Sequence, residues 1–154
     1  MGVTILSGDT VQMDVVPGIS TVTINAAGNL SLNGFNLTLS SFTNAGTLVL
    51  VGTEAVTYAP TNLAGSTVTY NSAGTSIVLS TWVYRNLQIN GNGSFTIVVG
   101  SLTVNESLTL AAGTLNTGNN YTIGVSSNWV NTGGVFTANA STVTFTGLER
   151  LWRT

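Results

Sequence analysis

Apolar residues alternate with serine, threonine or asparagine along almost the whole chain. The alternation occurs in short segments, such as Thr21–Ile24, Thr67–Tyr70, Leu102–Val104 and Val143–Phe145. A period of two over short segments is typical of half-buried β-strands. No stretch places apolar residues at the helical spacing i, i+3, i+4, i+7. The pattern therefore predicts an all-β protein.

Clusters of glycine, asparagine and alanine separate the predicted strands, for example at Asn25–Gly28 and Asn90–Gly93. Glycine and asparagine adopt positive φ at low cost, so these clusters suit sharp corners that recur many times. Two architectures fit such a chain. One is an antiparallel β-sandwich built from hairpins, and the other is a parallel β-helix, or β-solenoid, of short strands.

The hairpin interpretation succeeds at one turn and fails at another. A two-residue turn at Asn33-Gly34 sets Leu32 opposite Phe35 on one apolar face. A turn at Asn105-Glu106 instead sets Val104 opposite Ser107, which breaks that face. The outer strands of sandwiches also usually carry lysine and glutamate, which are scarce here. We predict a parallel β-solenoid, with the antiparallel sandwich as the alternative.

Internal similarity favours the solenoid, because stacked repeats bury one another's apolar faces. The segment Ala64–Tyr70 is similar to the later segment Asn139–Phe145. We predict one solenoid over residues 1–147, with degenerate repeats at about 28–112 and 113–147. At roughly 20–25 residues per coil, the chain holds about six or seven coils. Residues 148–154 form a charged C-terminal tail that departs from the pattern, as a cap, a partner-contacting end or sequence foreign to the protein.

Charge is the most unusual feature of the composition. Charged residues make up 5% of the chain and hydrophobic residues 43%, and the formal net charge is −2. Three Lys and Arg residues in total cannot form the basic stripe that nucleic-acid binding requires. The chain also lacks histidine and cysteine, which removes the usual neutral-pH base and the thiolate ligand or nucleophile. We predict no nucleic-acid partner and no cofactor.

The acidic residues are too scattered to indicate chemistry. Asp9 and Asp14 lie close together in sequence, whereas Glu54 and Glu106 have no acidic neighbour. Hydrolysis and lyase chemistry on this kind of fold needs clustered carboxylates, and calcium-binding β-rolls need an aspartate in each turn. We predict that the protein is not an enzyme and has no catalytic, cofactor-binding or metal-binding residues. A pairing of Glu54 with Glu106 across stacked coils is the arrangement that would revive an active site.

One aromatic cluster has two interpretations. Trp82 and Tyr84 share a strand face, and Arg85 points to the opposite side. The cluster is either a platform on which a sugar ring stacks or ordinary packing in the core. We favour core packing.

Threonine pairs such as Thr21/Thr23, Thr67/Thr69 and Thr142/Thr144 are typical of ice-binding ladders when every coil carries one. Only some of the predicted strands carry such a pair. We interpret these threonines as outward-facing strand residues, which suit β geometry.

The N-terminus has no basic region followed by an apolar segment, so no signal peptide is predicted. No apolar run approaches the length of a transmembrane helix, about 18 residues, so no transmembrane segment is predicted. The second repeat copy stops soon after Phe145, and we expect the chain to be a piece of a longer protein.

The segments Ile24–Leu39 and Asn128–Gly147 resemble repeats of large bacterial surface proteins. Such repeats form the right-handed parallel β-helices of autotransporter passenger and filamentous-haemagglutinin-like chains. The resemblance extends from about Val3 to Gly147. It implies an extracellular or cell-surface location and a structural or adhesive role.

These observations predict a non-catalytic structural protein, a segment or subunit of an extracellular bacterial surface structure or fibre. Unpaired strand edges recruit further strands, so the predicted partner of the chain is another copy of itself. The candidate edges for head-to-tail association are Val3–Leu6 and Val143–Phe145. The alternative is an adhesin or glycan-binding module on the same fold, with surface glycans as partners.

Overall fold

The computed structural model describes residues 1–147, so the charged tail at 148–154 lies outside the described residues. Within that range the chain forms 19 short strands and no helix. The strands stack in parallel as a β-solenoid of about seven turns, which confirms the predicted fold class. Every strand pairing in this part of the chain is parallel, so the antiparallel sandwich alternative is wrong.

The strands form four parallel sheets, which we name by position. The N-terminal sheet contains β1 (Gly2–Ile5), β3 (Thr21–Ile24), β5 (Ser41–Asn44) and β7 (Thr61–Asn62). The long sheet contains β2 (Thr10–Gln12), β4 (Asn29–Ser31), β6 (Thr47–Leu50), β8 (Thr67–Tyr70), β11 (Asn86–Ile89), β14 (Leu108–Leu110) and β17 (Trp129–Asn131). The third sheet contains β9 (Thr75–Val78), β12 (Ser94–Ile97), β15 (Thr114–Asn116) and β18 (Val135–Thr137). The C-terminal sheet contains β10 (Val83–Tyr84), β13 (Leu102–Val104), β16 (Ile123–Val125) and β19 (Val143–Phe145).

Hydrogen bonds between neighbouring coils show the length of one coil. The bond between Leu39 and Thr57 spans 18 residues, and the bond between Asn86 and Ser107 spans 21 residues. These coils lie at or just below the lower end of the roughly 20–25 residues expected from the sequence. From β8 onward the chain repeatedly visits the long sheet, the third sheet and the C-terminal sheet in that order.

The Asn33-Gly34 turn forms, although the hairpin that would follow from it does not. Asn33 and Gly34 both have positive φ, and the Phe35 N–H donates to the Leu32 carbonyl at 2.9 Å. The flanking segments then pair with neighbouring coils, since Leu37 forms a parallel bridge to Val56. A positive-φ turn serves a solenoid corner as well as a hairpin.

Alternation along most strands sends apolar side chains inward and short polar side chains outward. In β6, for example, Leu48 and Leu50 are buried, while Thr47 and Val49 are half-buried on the other face. Inward residues stack on inward residues of the next coil, as Leu87 does on Leu108. The interior is therefore a set of apolar ladders that run along the solenoid axis.

The segments that are similar in sequence do not occupy equivalent places. Thr67–Tyr70 belongs to the long sheet, and Val143–Phe145 belongs to the C-terminal sheet. The unit that repeats in space is the coil.

Candidate functional site: the two open ends of the solenoid

Glu54 is buried and is used to hold a turn. Its carboxylate accepts hydrogen bonds from the backbone N–H groups of Gly34 at 3.1 Å, Val51 at 2.7 Å, Gly52 at 2.7 Å and Thr53 at 3.1 Å. Convergent backbone N–H groups form a concave site that suits an anion. The anion in this case is the protein's own side chain. The carboxylate therefore joins the corner that follows the long sheet in one coil to the same corner in the next coil.

Glu106 also accepts hydrogen bonds from its neighbours in the fold. The Gly65 N–H donates to it at 3.1 Å, and the Asn86 side-chain amide donates at 2.8 Å. Glu54 and Glu106 share no hydrogen-bond partner, and each secures a separate corner. Asp9 and Asp14 are exposed on the first coil. Within residues 1–147, no three acidic residues cluster in a way that could hold a metal ion.

The Trp82 and Tyr84 cluster packs in the core, as predicted. Trp82 is 4% exposed and Tyr84 is fully buried, with their ring centroids 6.3 Å apart. Arg85 points away from them, and its Nε lies 3.4 Å from the Asn62 carbonyl oxygen. A buried pair offers no face on which a sugar ring could stack.

Two buried tyrosines form a closed hydrogen-bond network with the backbone of Leu79. The Leu79 N–H donates to the Tyr70 hydroxyl at 2.9 Å, and the Tyr84 hydroxyl donates to the Leu79 carbonyl at 2.7 Å. The two hydroxyls are 2.9 Å apart. Since the Tyr84 proton is already directed at Leu79, Tyr70 donates to Tyr84. Burial is the main reason that the pKa of each tyrosine is raised well above its ordinary value.

Outward-facing residues form columns of short uncharged side chains. One column on the N-terminal sheet consists of four threonines that are exposed or half-buried, namely Thr4, Thr23, Thr43 and Thr61. Thr69 on the long sheet is an exception to the predicted exposure, because it is only 7% exposed. Uncharged columns are favourable here, since identical charges stacked at strand spacing would repel.

The N-terminal end of the solenoid exposes part of its interior ladder. β1 pairs with β3 on one side, and no strand within residues 1–147 pairs with its other edge. Val11, on the inward face of β2, is 39% exposed. Leu30, its register partner in the next coil, is only 5% exposed. The first coil therefore lacks the apolar cover that the inner coils receive.

At the C-terminal end, no strand within residues 1–147 pairs with the outer edge of β19, and these residues form a cavity. Phe145 is 60% exposed, whereas Val125, its register partner in β16, is fully buried. An open cavity of about 310 Å³ is lined by Trp129, Phe136, Val143 and Phe145. The rings of Trp129 and Phe136 meet edge to face, with centroids 4.8 Å apart. These four side chains come from the last described strand on each of the three sides.

The sequence-predicted edges coincide with the two ends, but sequence reasoning missed most of the cavity. Val3–Leu6 lies at the first strand and Val143–Phe145 is the last described strand. Trp129 and Phe136 are brought to the same end because they lie within the last coil of the described chain. A coil period of about 20 residues is the signal that would have found them, but similar strands on different sides of the solenoid hide that period in the sequence.

Comparison of the chain with protein-family models, with curated proteins and with solved structures found no match. A search of residues 1–147 for a helix of the length and apolar character needed to span a membrane also found none.

Proposed function

We propose that the chain is a non-catalytic structural segment or subunit of an extracellular bacterial surface structure or fibre. It associates with further copies through its end coils. The observation that carries the proposal is the interior apolar ladder, which continues to both ends and is uncovered at each, at Val11 and at Phe145. Burial of exposed apolar surface and pairing of open strand edges both favour the addition of another coil.

The sides of the solenoid support a passive structural role. Parallel hydrogen bonds run along the axis through seven strands of the long sheet. The glutamates that could support catalysis, Glu54 and Glu106, accept hydrogen bonds from backbone and amide groups within the fold. The resemblance of Ile24–Leu39 to bacterial surface repeats supports an extracellular location.

Negative-stain electron microscopy of concentrated, tag-free protein tests the proposal. We expect fibres with a regular axial repeat. Phe145→Lys places a charge at the open C-terminal edge and should abolish the fibres. Thr109→Lys places the same charge on an outward position of the long sheet and should leave them intact. Discrete short rods at every concentration, for the unmodified chain, would contradict self-association.

A glycan-binding module on the same fold is the second candidate. It is favoured by the outward face of the long sheet, where the side chains of Asn29 and Gln88 provide amide donors and acceptors. Binding on a glycan array that is lost on substitution of Asn29 or Gln88 would favour this function. Unchanged glycan binding by these variants would contradict a glycan-binding function for this face.

A further inference from the structure

The two ends of the solenoid carry matching strands. β1 contains Val3-Thr4-Ile5, and β19 contains Val143-Thr144-Phe145. Inside the molecule, β1 already pairs with a third triplet of this kind in β3, which sets Val3 beside Val22 and Ile5 beside Ile24. The fold therefore already contains two apolar–threonine–apolar triplets, in β1 and β3, that pair with each other in parallel.

From this match we infer that β19 of one copy is extended by β1 of a second copy, in parallel. Val143 then lies beside Val3, Thr144 beside Thr4, and Phe145 beside Ile5. The inference rests on the self-association proposed above, and it adds the partner surface and the register. A shift of one residue would turn Val3 and Ile5 of the incoming copy outward, because successive side chains point to opposite faces of a strand and pairing with β16 fixes the faces of β19.

The polarity of the strands makes this contact head-to-tail. In a parallel solenoid the open edge at the start of the chain and the open edge at its end are different surfaces. Extending the parallel ladder at β19 therefore requires the opposite end of another copy, and such a contact repeats without closing. Residues 123–147 contain no charged side chain, so these residues add no like-charge repulsion to the contact.

The apolar surface at the two ends gives the contact a driving force. Pairing of β1 with β19 places the first coil of the incoming copy above the cavity at Trp129 and Phe136, with the space of one strand left between β17 and the incoming β2. The first coil carries several exposed apolar side chains, namely Met1, Leu6, Val11, Val15 and Val16. The inward-facing side chains of the receiving end are Trp129, Phe136, Val143 and Phe145, and Phe145 is 60% exposed. Both surfaces lose contact with water when the ends meet.

The absence of cysteine from the chain makes the register directly measurable. Thr4→Cys and Thr144→Cys are single variants at exposed, outward positions. Neighbouring positions of paired strands lie within the Cα separation that a disulfide requires. We expect an equal mixture of the two variants, under mild oxidation, to yield a dimer joined by a disulfide between positions 4 and 144, as shown by peptide mass spectrometry. A chain carrying both substitutions should form a ladder of higher multimers on a non-reducing gel.

Control mixtures test whether the disulfide reflects the proposed strand register or random collision between copies. Thr4→Cys mixed with Thr109→Cys pairs one end with a lateral position and should give at least tenfold less cross-linked dimer. A mixture that gives mainly dimers joined through position 144 of both copies would overturn the inference in favour of a tail-to-tail contact. Fibres in the microscope without a disulfide between positions 4 and 144 would overturn the register and leave the proposed function standing. Absence of both fibres and disulfide would overturn both.

A shortened chain that ends at Gly147 tests the other possible occupant of this end. We expect it to cross-link as efficiently as the full chain. If only the shortened chain cross-links, residues 148–154 compete with the second copy for the C-terminal end, and the inference fails for the full chain.

Discussion

Each coil has a side that follows the long sheet along the chain, which we call the third side. The two halves of the solenoid build this side differently. In the C-terminal half, β9, β12, β15 and β18 form a regular parallel sheet. In the N-terminal half, all of which the structure describes, the corresponding side has only the isolated bridge between Leu37 and Val56. Side chains there take over hydrogen bonding that strands provide elsewhere, as Glu54 does for four backbone N–H groups. The comparison shows that backbone N–H groups on the same side of a coil can be hydrogen-bonded either by a parallel sheet or by a side chain.

Both halves also contain corners at which only glycine allows two coils to approach closely. In the N-terminal half, Gly46 lies against Gly28 at the corner that enters the long sheet. In the C-terminal half, Gly93 lies against Gly74 at the corner that leaves the long sheet. A Cβ on Gly93 would collide with the Gly74 carbonyl oxygen, and one on Gly46 would collide with the Gly28 carbonyl oxygen. Each half therefore depends on glycine at a corner where its coils approach closely.

The largest effect is expected from Glu54→Ala, which breaks the irregular third side of the N-terminal half. The substitution leaves partly buried N–H groups, those of Val51 and Gly52 foremost, without an acceptor. We expect the free energy of unfolding to fall by about 4 kcal/mol, measured by urea denaturation. Glu106→Ala is the matched control. It removes a half-exposed carboxylate with fewer partners and should cost about 1 kcal/mol.

Equal losses for the two alanine variants would show that Glu54 is no more important to the fold than a glutamate at the corner between the C-terminal sheet and the long sheet. Glu54→Gln keeps one acceptor oxygen and should give an intermediate loss.

A smaller effect is expected from alanine at the close corners. Gly93→Ala in the C-terminal half and Gly46→Ala in the N-terminal half should each cost about 3 kcal/mol, because backbone atoms must move apart. Gly124→Ala is the control, since its Cβ would have its nearest neighbour at 3.9 Å. That variant should change the midpoint of urea unfolding little. A Gly93→Ala midpoint equal to that of Gly124→Ala would contradict the assignment of the tight corner.

The smallest effect is expected at the junction between the halves, where Tyr70 and Tyr84 bind the backbone of Leu79. Tyr84→Phe removes the donor to the Leu79 carbonyl and should cost about 1–2 kcal/mol at neutral pH. The pKa of each tyrosine is raised in the folded protein, so folding favours the neutral form. This contribution is fully present below pH about 10, the ordinary pKa of tyrosine, and is lost as pH rises further.

Thermal melting between about pH 8 and 11.5 measures that loss. The unmodified chain should lose stability above about pH 10 more steeply than the variant that combines Tyr70→Phe with Tyr84→Phe. Tyr58→Phe, at an exposed position, is the matched control and should keep the steep fall. Parallel curves for the unmodified chain and the double variant would show that the network does not set the alkaline limit.

Much of the strand content and side-chain orientation could be predicted from the sequence. Alternation in segments such as Thr21–Ile24 specified which residues turn inward, because a strand has a strict period of two. The same rule placed Trp82 and Tyr84 together on one face, and both are in the core. Local patterns of this kind depend only on neighbours in the chain.

The role of Glu54 and the cavity at Trp129 could not be predicted, because both depend on residues about one coil away. Glu54 receives one of its hydrogen bonds from Gly34, 20 residues earlier. The threonine column on the N-terminal sheet likewise takes one residue from each of four coils, namely Thr4, Thr23, Thr43 and Thr61. Similar strands on different sides, such as Thr67–Tyr70 and Val143–Phe145, hid the coil period in the sequence.

By itself the sequence determined an all-β chain of short strands, the inward and outward faces of its regularly alternating strands, and the absence of histidine and cysteine chemistry. Only the tertiary structure decided which strands are neighbours and which side chains meet at each end. The physical reason is that a glycine or asparagine turn such as Asn33-Gly34 serves a hairpin and a solenoid corner equally well. The choice between them depends on burial against the next coil, which no local pattern contains.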